Sequence, residues 1–359
     1  MRESPDAWPF FRDNPDCVVL GVRAGVTPST LPPVRIFLGT EEAQYRAERI
    51  FFYSIEKVRD PSRIYEIHLM KNVSGFNRRH WRTGFTNYRY AIPDFAGRTG
   101  KAIYNDVDQI YLADPAELFD LDMDGHGYLA IDAADTSVML IDCARMWPMW
   151  NRQAASTGNK YTLLAKPRKT PGLWGPIDPH WNARDQEYVE GRTKCLHYTA
   201  LHQQPWAPFP DAYSYHPNPL AYLWHELERE ADEEGYHVFD RERPSPGFRP
   251  RLATNLAVPP RRQAARPSPA ARLLLGAHGG GSCLIVTAPG VEPLDLGGFT
   301  AGQLSRVALR GDGAELPAGG ADLVVVHDLL ERVPPADLGW LVDELFVRAR
   351  DGIYLVVDA

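Results

Sequence analysis

Short apolar runs and longer segments with helical spacing alternate along the first 240 residues. Such runs are typical of buried strands, and apolar residues three or four positions apart predict helices. A helix is predicted over 43–55, with Thr40 as its N-cap. The alternation predicts an α/β fold, whose ligands bind outside the carboxyl ends of the strands. The predicted strands cover 34–38, 63–69, 101–104, 110–112, 128–131 and 138–141.

The composition changes sharply near residue 240. The segment 241–270 holds seven Pro and seven Arg against one acidic residue, Glu242, for a net charge of +6. It has few large apolar side chains with which to offset the entropy of ordering it, so we predict a linker. The chain therefore divides into a first domain at 1–240, a Pro/Arg-rich linker at 241–270 and a small module at 271–359.

The module has a strand–helix–strand pattern, with apolar runs at 323–326 and 353–357 on either side of an amphipathic helix. Its segment Asp328–Pro334 resembles a conserved stretch of class I S-adenosylmethionine methyltransferases. A Gly-rich stretch at 276–281 is followed by the apolar run 283–286, which predicts a strand where a cofactor loop needs a helix. We expect a partial, degenerate methyltransferase-like α/β module, or the cut edge of a longer protein.

Composition excludes several classes of function. The formal charge of −7 argues against nucleic acid as a partner. No apolar run approaches the roughly 18 residues of a spanning helix, and the first 16 residues contain no apolar stretch of the kind that a signal peptide needs. The four cysteines match no zinc spacing, which predicts reduced, buried thiols in a cytoplasmic protein. Peripheral contact between the Arg-rich linker and a membrane surface stays open, as does the oligomeric state.

Two carboxylates follow the third predicted strand of the first domain. Asp106 and Asp108 lie at the carboxyl end of that strand, and a capped helix follows at Asp114–Glu117. Two carboxylates about 5 Å apart repel by roughly 3 kcal/mol at an effective dielectric constant of 20. A divalent cation such as Mg²⁺ or Mn²⁺ removes that penalty and can bridge to a diphosphate.

Six segments resemble, in the same order, conserved segments of the retaining glycosyltransferases of family 8, which includes glycogenin and bacterial lipopolysaccharide glycosyltransferases. The resemblance covers about residues 34–206. It rests on Tyr88–Pro93, Lys101–Asp108, Asp114–Phe119, Asp135–Asp142, Trp181–Asn182 and Leu196–Trp206.

The resemblance implies a GT-A fold, a Rossmann-like domain that binds a nucleotide sugar. It implies a metal-dependent enzyme that moves a hexose, with retention, from a UDP sugar to a carbohydrate-type acceptor. The metal would be Mn²⁺ or Mg²⁺, held by Asp106, Asp108 and His197. Among the other residues, Leu38, Gly39, Thr40, Lys101, Val107 and His202 would contact the donor, and Arg89, Asp135 and Gln204 would act in catalysis.

The chain departs from the family pattern at three places. Ala200 stands where Gly is usual, Gln204 stands where a phosphate-binding Lys is expected, and no Asp-Gln-Asp segment precedes Trp181. A glutamine donates a hydrogen bond but supplies no charge to a diphosphate. Two alternatives therefore remain: a non-catalytic protein that binds sugar nucleotides or acts as a scaffold, and a methyltransferase acting through the C-terminal module.

Overall fold

The computed structural model describes residues 11–79, 81, 83–253, 280–291, 296, 299–311 and 313–356. The chain divides into two compact units, Met1–Tyr236 and His237–Ala359. Each unit is built around its own sheet.

The first unit contains a seven-stranded sheet of order β1-β3-β2-β4-β7-β6-β8 and a three-stranded sheet of order β5-β10-β9. The larger sheet mixes parallel and antiparallel pairs, so the predicted α/β class is confirmed. The strands are β1 (Asp16–Leu20), β2 (Val34–Gly39), β3 (Tyr65–Met70), β4 (Lys101–Asp106), β5 (Gln109–Tyr111), β6 (Tyr128–Ala130), β7 (Val138–Asp142), β8 (Trp174–Pro176), β9 (Ala183–Arg184) and β10 (Cys195–His197).

Of the two N-caps predicted in the first unit, Asp114 is confirmed and Thr40 is not. Asp114 caps its helix, because its Oδ1 accepts from the Ala116 N–H at 2.8 Å. The prediction that Thr40 is an N-cap is wrong, since a 3₁₀ turn at Glu42–Gln44 comes first and the Thr40 hydroxyl donates instead to buried Glu48, at 3.1 Å. The helices are α1 (Tyr45–Val58), α2 (Ile92–Phe95), α3 (Pro115–Phe119), α4 (Cys143–Met146), α5 (Arg152–Thr157), α6 (Lys160–Lys169) and α7 (Ala221–Glu233).

Strand β2 lies between β3 and β4 and is parallel to both. The chain passes from β2 to β3 on one side and later to β4 on the other. The gap between β2 and β4 is therefore a topological switch point, where open α/β sheets bind ligands. Gly39 pairs with Asp106 at the carboxyl ends of these two strands, which places the predicted carboxylates at this gap.

The cysteine prediction is only partly correct. All four thiols are free, and those of Cys143, Cys195 and Cys283 are buried. Cys17 is exposed, because β1 is an edge strand whose alternate residues face solvent.

The second unit contains four parallel strands in the order β12-β11-β13-β14. This confirms the α/β pattern predicted for the module, whereas its likeness to methyltransferases stays a prediction. Residues 276–279 of the Gly-rich stretch lie outside the described residues. The elements are α8 (Phe248–Ala253), β11 (Cys283–Thr287), β12 (Leu304–Ala308), β13 (Ala321–His327), α9 (Pro335–Arg348) and β14 (Ala349–Val356).

Part of the predicted linker is folded into the second unit. Phe248 is buried and packs its ring against Trp340, with the ring centroids 5.2 Å apart. The buried Asp337 carboxylate accepts hydrogen bonds from the Ser245 backbone N–H and hydroxyl. Residues 241–253 thus differ from a solvated linker, because a single large aromatic ring and a buried carboxylate anchor them. Residues 254–270 lie outside the described part of the chain.

None of the helices formed by the described residues combines the length and the apolar character needed to cross a bilayer.

Candidate metal centre

Two strand ends and a turn bring three ligand-type side chains together. Asp106 ends β4, Asp108 lies in the turn to β5, and His197 ends β10. One ligand atom from each lies within 4.8 Å of the others. We call Asp106, Asp108 and His197 the carboxylate–histidine cluster. They are the three residues predicted to bind a metal.

Asp106 is held by two donors on a single oxygen. Its Oδ1 accepts from Arg89 Nη2 at 2.8 Å and from the Tyr104 hydroxyl at 2.5 Å. Its other oxygen takes no part in these two bonds. Arg89 is itself anchored, because Nη1 donates to the Thr136 carbonyl at 2.7 Å and Nε to that of Thr86 at 3.0 Å. Arg89 therefore positions Asp106 and has few donors left for a substrate.

Asp108 has one satisfied oxygen and one that lacks a partner. Its Oδ2 accepts from Gln204 Nε2 at 3.0 Å. Its Oδ1 is buried without a hydrogen bond from any described residue, although His197 Nε2 lies 3.1 Å away. A buried carboxylate oxygen is costly to leave without a partner. A divalent cation in the cluster would satisfy it, so these residues fit the predicted metal.

A hydrogen-bond chain fixes the orientation of His197. Its Nδ1 lies 2.9 Å from Asn182 Oδ1. The Asn182 amide nitrogen donates to Asp135 Oδ2 at 3.2 Å and to the Ser137 hydroxyl at 2.9 Å, which sets the amide oxygen toward the ring. Nδ1 therefore carries the proton in neutral His197, and the lone pair of Nε2 faces Asp108. Histidine ligands are usually oriented by such partners.

Neighbouring carboxylates, and for Asp106 also burial, raise the pKa values of two members of the cluster. Burial raises the pKa of Asp106 and the Asp108 charge raises it further, and Arg89 only partly offsets them. Burial would lower the pKa of His197, but Asp108, Asp106 and Asp135 together raise it above its ordinary value. The site therefore favours an added positive charge, whether a proton or a metal ion.

Replacing Asn182 with alanine is expected to weaken Mn²⁺ binding by about 10- to 100-fold, the usual effect of losing the partner of a histidine ligand. The loss leaves His197 Nδ1 without its acceptor, so the ring is free to turn. Titration of Mn²⁺ into the wild-type chain and the variant measures the change. Thr162→Ala, which removes a hydroxyl from the exposed cap of α6, serves as the control. Equal Mn²⁺ affinity in Asn182→Ala and wild type would contradict this role.

The end of β2 is closely packed beside the cluster. A Cβ on Gly39 would lie 2.2 Å from the Tyr104 hydroxyl oxygen and 2.6 Å from the Phe85 ring. The Gly39 carbonyl accepts from the Val107 N–H at 3.0 Å. The predicted donor-contacting residues Leu38, Gly39 and Val107 thus lie beside Asp106, and Thr40 follows them with its hydroxyl bound to Glu48.

The structure places the remaining predicted site residues in different regions. Asp135 accepts a hydrogen bond from Asn182, the residue that orients His197. Gln204 donates a hydrogen bond to Asp108. Lys101 starts β4, at the opposite end of the strand from Asp106, and its Nζ donates to the Leu121 carbonyl at 3.0 Å. His202 is exposed, and its ring contacts that of His216 with the centroids 5.9 Å apart. The structure therefore does not bring Lys101 or His202 into the cluster.

Sequence reasoning missed two groups at this sheet edge. The Tyr104 hydroxyl donates a hydrogen bond to Asp106. The sequence did contain a signal for this contact, because residues two positions apart on a strand have their side chains on the same face. Buried Glu48 accepts from Lys71 Nζ at 2.9 Å and from the Thr40 hydroxyl. No spacing signal joins Glu48 on α1 with Lys71 after β3.

No protein-family model and no curated protein sequence matches the chain. Solved structures that it resembles are glycosyltransferases. The glycosyltransferase GlyE of Streptococcus pneumoniae TIGR4 matches with a TM-score of 0.40 and 13% identity, over 90% of this chain and 81% of that one. The galactosyltransferase LgtC, solved with donor and acceptor sugar analogues, matches with a TM-score of 0.39 and 14% identity, over 55% of this chain and 96% of that one.

A third match is the bifunctional glycosyltransferase WbbM, with a TM-score of 0.38 and 10% identity. The match covers 56% of this chain and 53% of the WbbM chain. Because all three TM-scores lie below 0.5, the function proposed below rests on the residues of the cluster.

Proposed function

We propose that the chain is a metal-dependent glycosyltransferase of the GT-A type that transfers a hexose from a UDP sugar, with retention, to a carbohydrate acceptor. The observation that carries the proposal is the buried Asp108 Oδ1, which lacks a hydrogen-bond partner in the described chain and lies 3.1 Å from His197 Nε2. The resemblance of the segments around residues 88–206 to family 8 supplies the donor and the stereochemistry.

Asp106, Asp108 and His197 would hold Mn²⁺ or Mg²⁺, which when bound supplies Lewis acidity toward the diphosphate leaving group. The rest of the site positions these ligands. Arg89 and Tyr104 fix one oxygen of Asp106, so that the carboxylate cannot rotate freely. Such preorganisation lowers the cost of reorganising the site during the reaction.

The sheet edge between β2 and β4 would receive the nucleoside diphosphate. Gly39 lets Tyr104 and Phe85 pack directly against the end of β2, because a Cβ there would lie 2.2 Å from the Tyr104 hydroxyl oxygen; Leu38, Gly39 and Thr40 are the residues proposed to lie beside the donor. Asp135, which accepts a hydrogen bond from Asn182, is the carboxylate proposed to face the sugar hydroxyls. With donor and acceptor held together, positioning supplies much of the rate in a mechanism that needs no enzymic nucleophile.

Gln204 takes a different role from the phosphate-binding lysine of the family. Its Nε2 donates to Asp108 Oδ2 at 3.0 Å and to the Tyr198 carbonyl at 3.1 Å. Both donors are thereby used inside the protein. We propose that Gln204 positions Asp108, and that the metal carries the charge compensation for the diphosphate.

The test is release of UDP from UDP-glucose, UDP-galactose and UDP-N-acetylglucosamine by the full chain, with Mn²⁺ or with EDTA. We expect turnover of at least one donor with Mn²⁺ and none with EDTA. Turnover that is equal in EDTA would contradict metal dependence. UDP binding without turnover of any donor, with or without sugar acceptors, would favour the alternative of a non-catalytic sugar-nucleotide-binding protein.

A further inference from the structure

The segment 143–177 is strongly basic although the chain as a whole is acidic. It holds six lysines and arginines and no aspartate or glutamate, whereas the whole chain has a formal charge of −7. Five of the six basic residues are exposed: Arg145, Lys160, Lys166, Arg168 and Lys169. Like charges with no acid among them repel one another, so the segment gains from contact with an anionic partner.

Helix α6 lies within this segment and is fixed against the first unit by one side. Leu163, Leu164 and Pro167 are its buried residues. Because Pro167 has no N–H, the Leu163 carbonyl lacks its helical partner and accepts instead from Trp150 Nε1, at 3.0 Å. The helix is therefore held by its apolar side, and its basic residues occupy the surface that faces solvent.

The charge at the end of α6 is not neutralised within the protein. Elsewhere in the first unit, basic residues of α1 form ion pairs with acidic residues of α7: Arg46 with Glu228, Arg49 with Asp232 and Lys57 with Glu230. By contrast, Lys166, Arg168 and Lys169 form no ion pair with any residue of the described chain. Their place in the last turn stabilises the helix through its dipole, but it leaves all three residues exposed.

An exposed aromatic ring lies on the same side of the helix as part of this charge. Tyr161 is 78% exposed, and Arg168 follows it by seven residues, or two helical turns. Tyrosine is enriched at the interface between a membrane and water, where lysine and arginine attract anionic headgroups. The solvent-facing side of α6 combines both kinds of residue.

The shape of the partner follows from the charge of the rest of the chain. A flat bilayer meets only one face of a protein, and in physiological salt its field falls off within about 8 Å. The acidic remainder of the chain then stays outside that field. A long polyanion such as nucleic acid extends past one face and is repelled by the net charge of −7.

We propose that Tyr161, Lys166, Arg168 and Lys169 form a basic face that docks the protein on an anionic lipid bilayer. Docking of this kind is reversible, because it depends on surface charge and a single ring. The proposal goes beyond the proposed function and does not depend on it, since none of these residues belongs to the carboxylate–histidine cluster or to the proposed donor site.

The test is co-sedimentation of the full chain with vesicles of phosphatidylcholine alone or of an equimolar mixture with phosphatidylglycerol. We expect binding to the mixed vesicles only, and its loss in about 1 M NaCl, where the Debye length is about 3 Å. Each basic residue contributes about fivefold to such binding. The variant Lys166→Ser/Arg168→Ser/Lys169→Ser should therefore bind about 100-fold more weakly than wild type, and Tyr161→Ala should lose less than that.

The variant Arg23→Ser/Arg192→Ser/Arg229→Ser removes the same charge from exposed positions outside the basic face and is the matched control, which we expect to bind as wild type does. Thermal unfolding checks the fold of each variant. Lys169→Ser changes only the last residue of α6, so its expected fivefold loss is measurable even if the triple variant unfolds.

Equal binding to neutral and mixed vesicles, full binding by the folded basic-face variants, or an equal loss in the control would overturn the proposal. Retention on heparin without binding to the mixed vesicles would also overturn it, and would assign the basic face to a soluble polyanion.

Discussion

Replacing Asp108 with asparagine is expected to lower the Mn²⁺-dependent release of UDP from the donor by about 100- to 1,000-fold. Asparagine keeps the size of the side chain but removes the charge that the cation needs. The oxygen concerned is the buried Asp108 Oδ1, which has no hydrogen-bond partner among the described residues. Initial rates over a range of Mn²⁺ concentrations measure the effect and separate weaker metal binding from slower turnover.

Stability of the Asp108→Asn variant distinguishes a lost metal site from a damaged fold. The charge of Asp108 raises the pKa of Asp106, so the two carboxylates repel each other in the absence of a cation. We therefore expect the free energy of unfolding in EDTA to be no lower in the variant than in wild type at alkaline pH, where His197 is neutral and its attraction to Asp108 is absent. Wild-type turnover in the variant, or a loss of turnover that merely follows unfolding, would contradict the assignment of Asp108 as a metal ligand.

Replacing Gly39 with alanine is expected to destabilise the protein by about 1–3 kcal/mol, as overpacking of a buried site usually does. The added methyl group would lie 2.2 Å from the Tyr104 hydroxyl oxygen, so the tyrosine must move. That movement breaks its 2.5 Å bond to Asp106 Oδ1. Mn²⁺ affinity is therefore expected to fall together with stability, as measured by thermal unfolding and by Mn²⁺ titration.

A double-mutant cycle identifies the cause of the Gly39→Ala effect. Tyr104→Phe removes the oxygen that the new methyl group meets, so Gly39→Ala should cost less stability in that background than in wild type. Mn²⁺ affinity should not recover, because the bond from Tyr104 to Asp106 is absent from the double variant. Additive losses of stability would show that Tyr104 is not the residue displaced.

The residue pattern was sufficient to predict the two aspartates of the cluster, because both follow a recognisable strand, whereas His197 was predicted only from the resemblance to family 8. Asp106 and Asp108 come after an apolar run, and parallel strands present their carboxyl ends at one edge. The same rule argues against Lys101, which starts the strand that Asp106 ends. His202 was predicted from its place near Gln204 in the chain, and the turn Leu201–Gln203 leaves its side chain exposed.

Features that depend on tertiary contacts could not be predicted in this way. The orientation of His197 is set by Asn182, whose amide is fixed in turn by Asp135 and Ser137. The left-handed backbone of Asp185 has no sequence signal, since aspartate adopts many turn conformations. The linker prediction relied on mean composition, which gives little weight to one buried ring such as Phe248.

Calorimetric titration of UDP into the full chain, with and without Mn²⁺, tests the central claim most directly. The Asp106→Asn/Asp108→Asn double variant is the control. Binding of UDP that requires Mn²⁺ in wild type and disappears in the double variant is the predicted result. Binding of UDP that is the same without Mn²⁺ or in the double variant, or no binding to folded wild type, would contradict the assignment of the carboxylate–histidine cluster as the metal site for a nucleotide sugar.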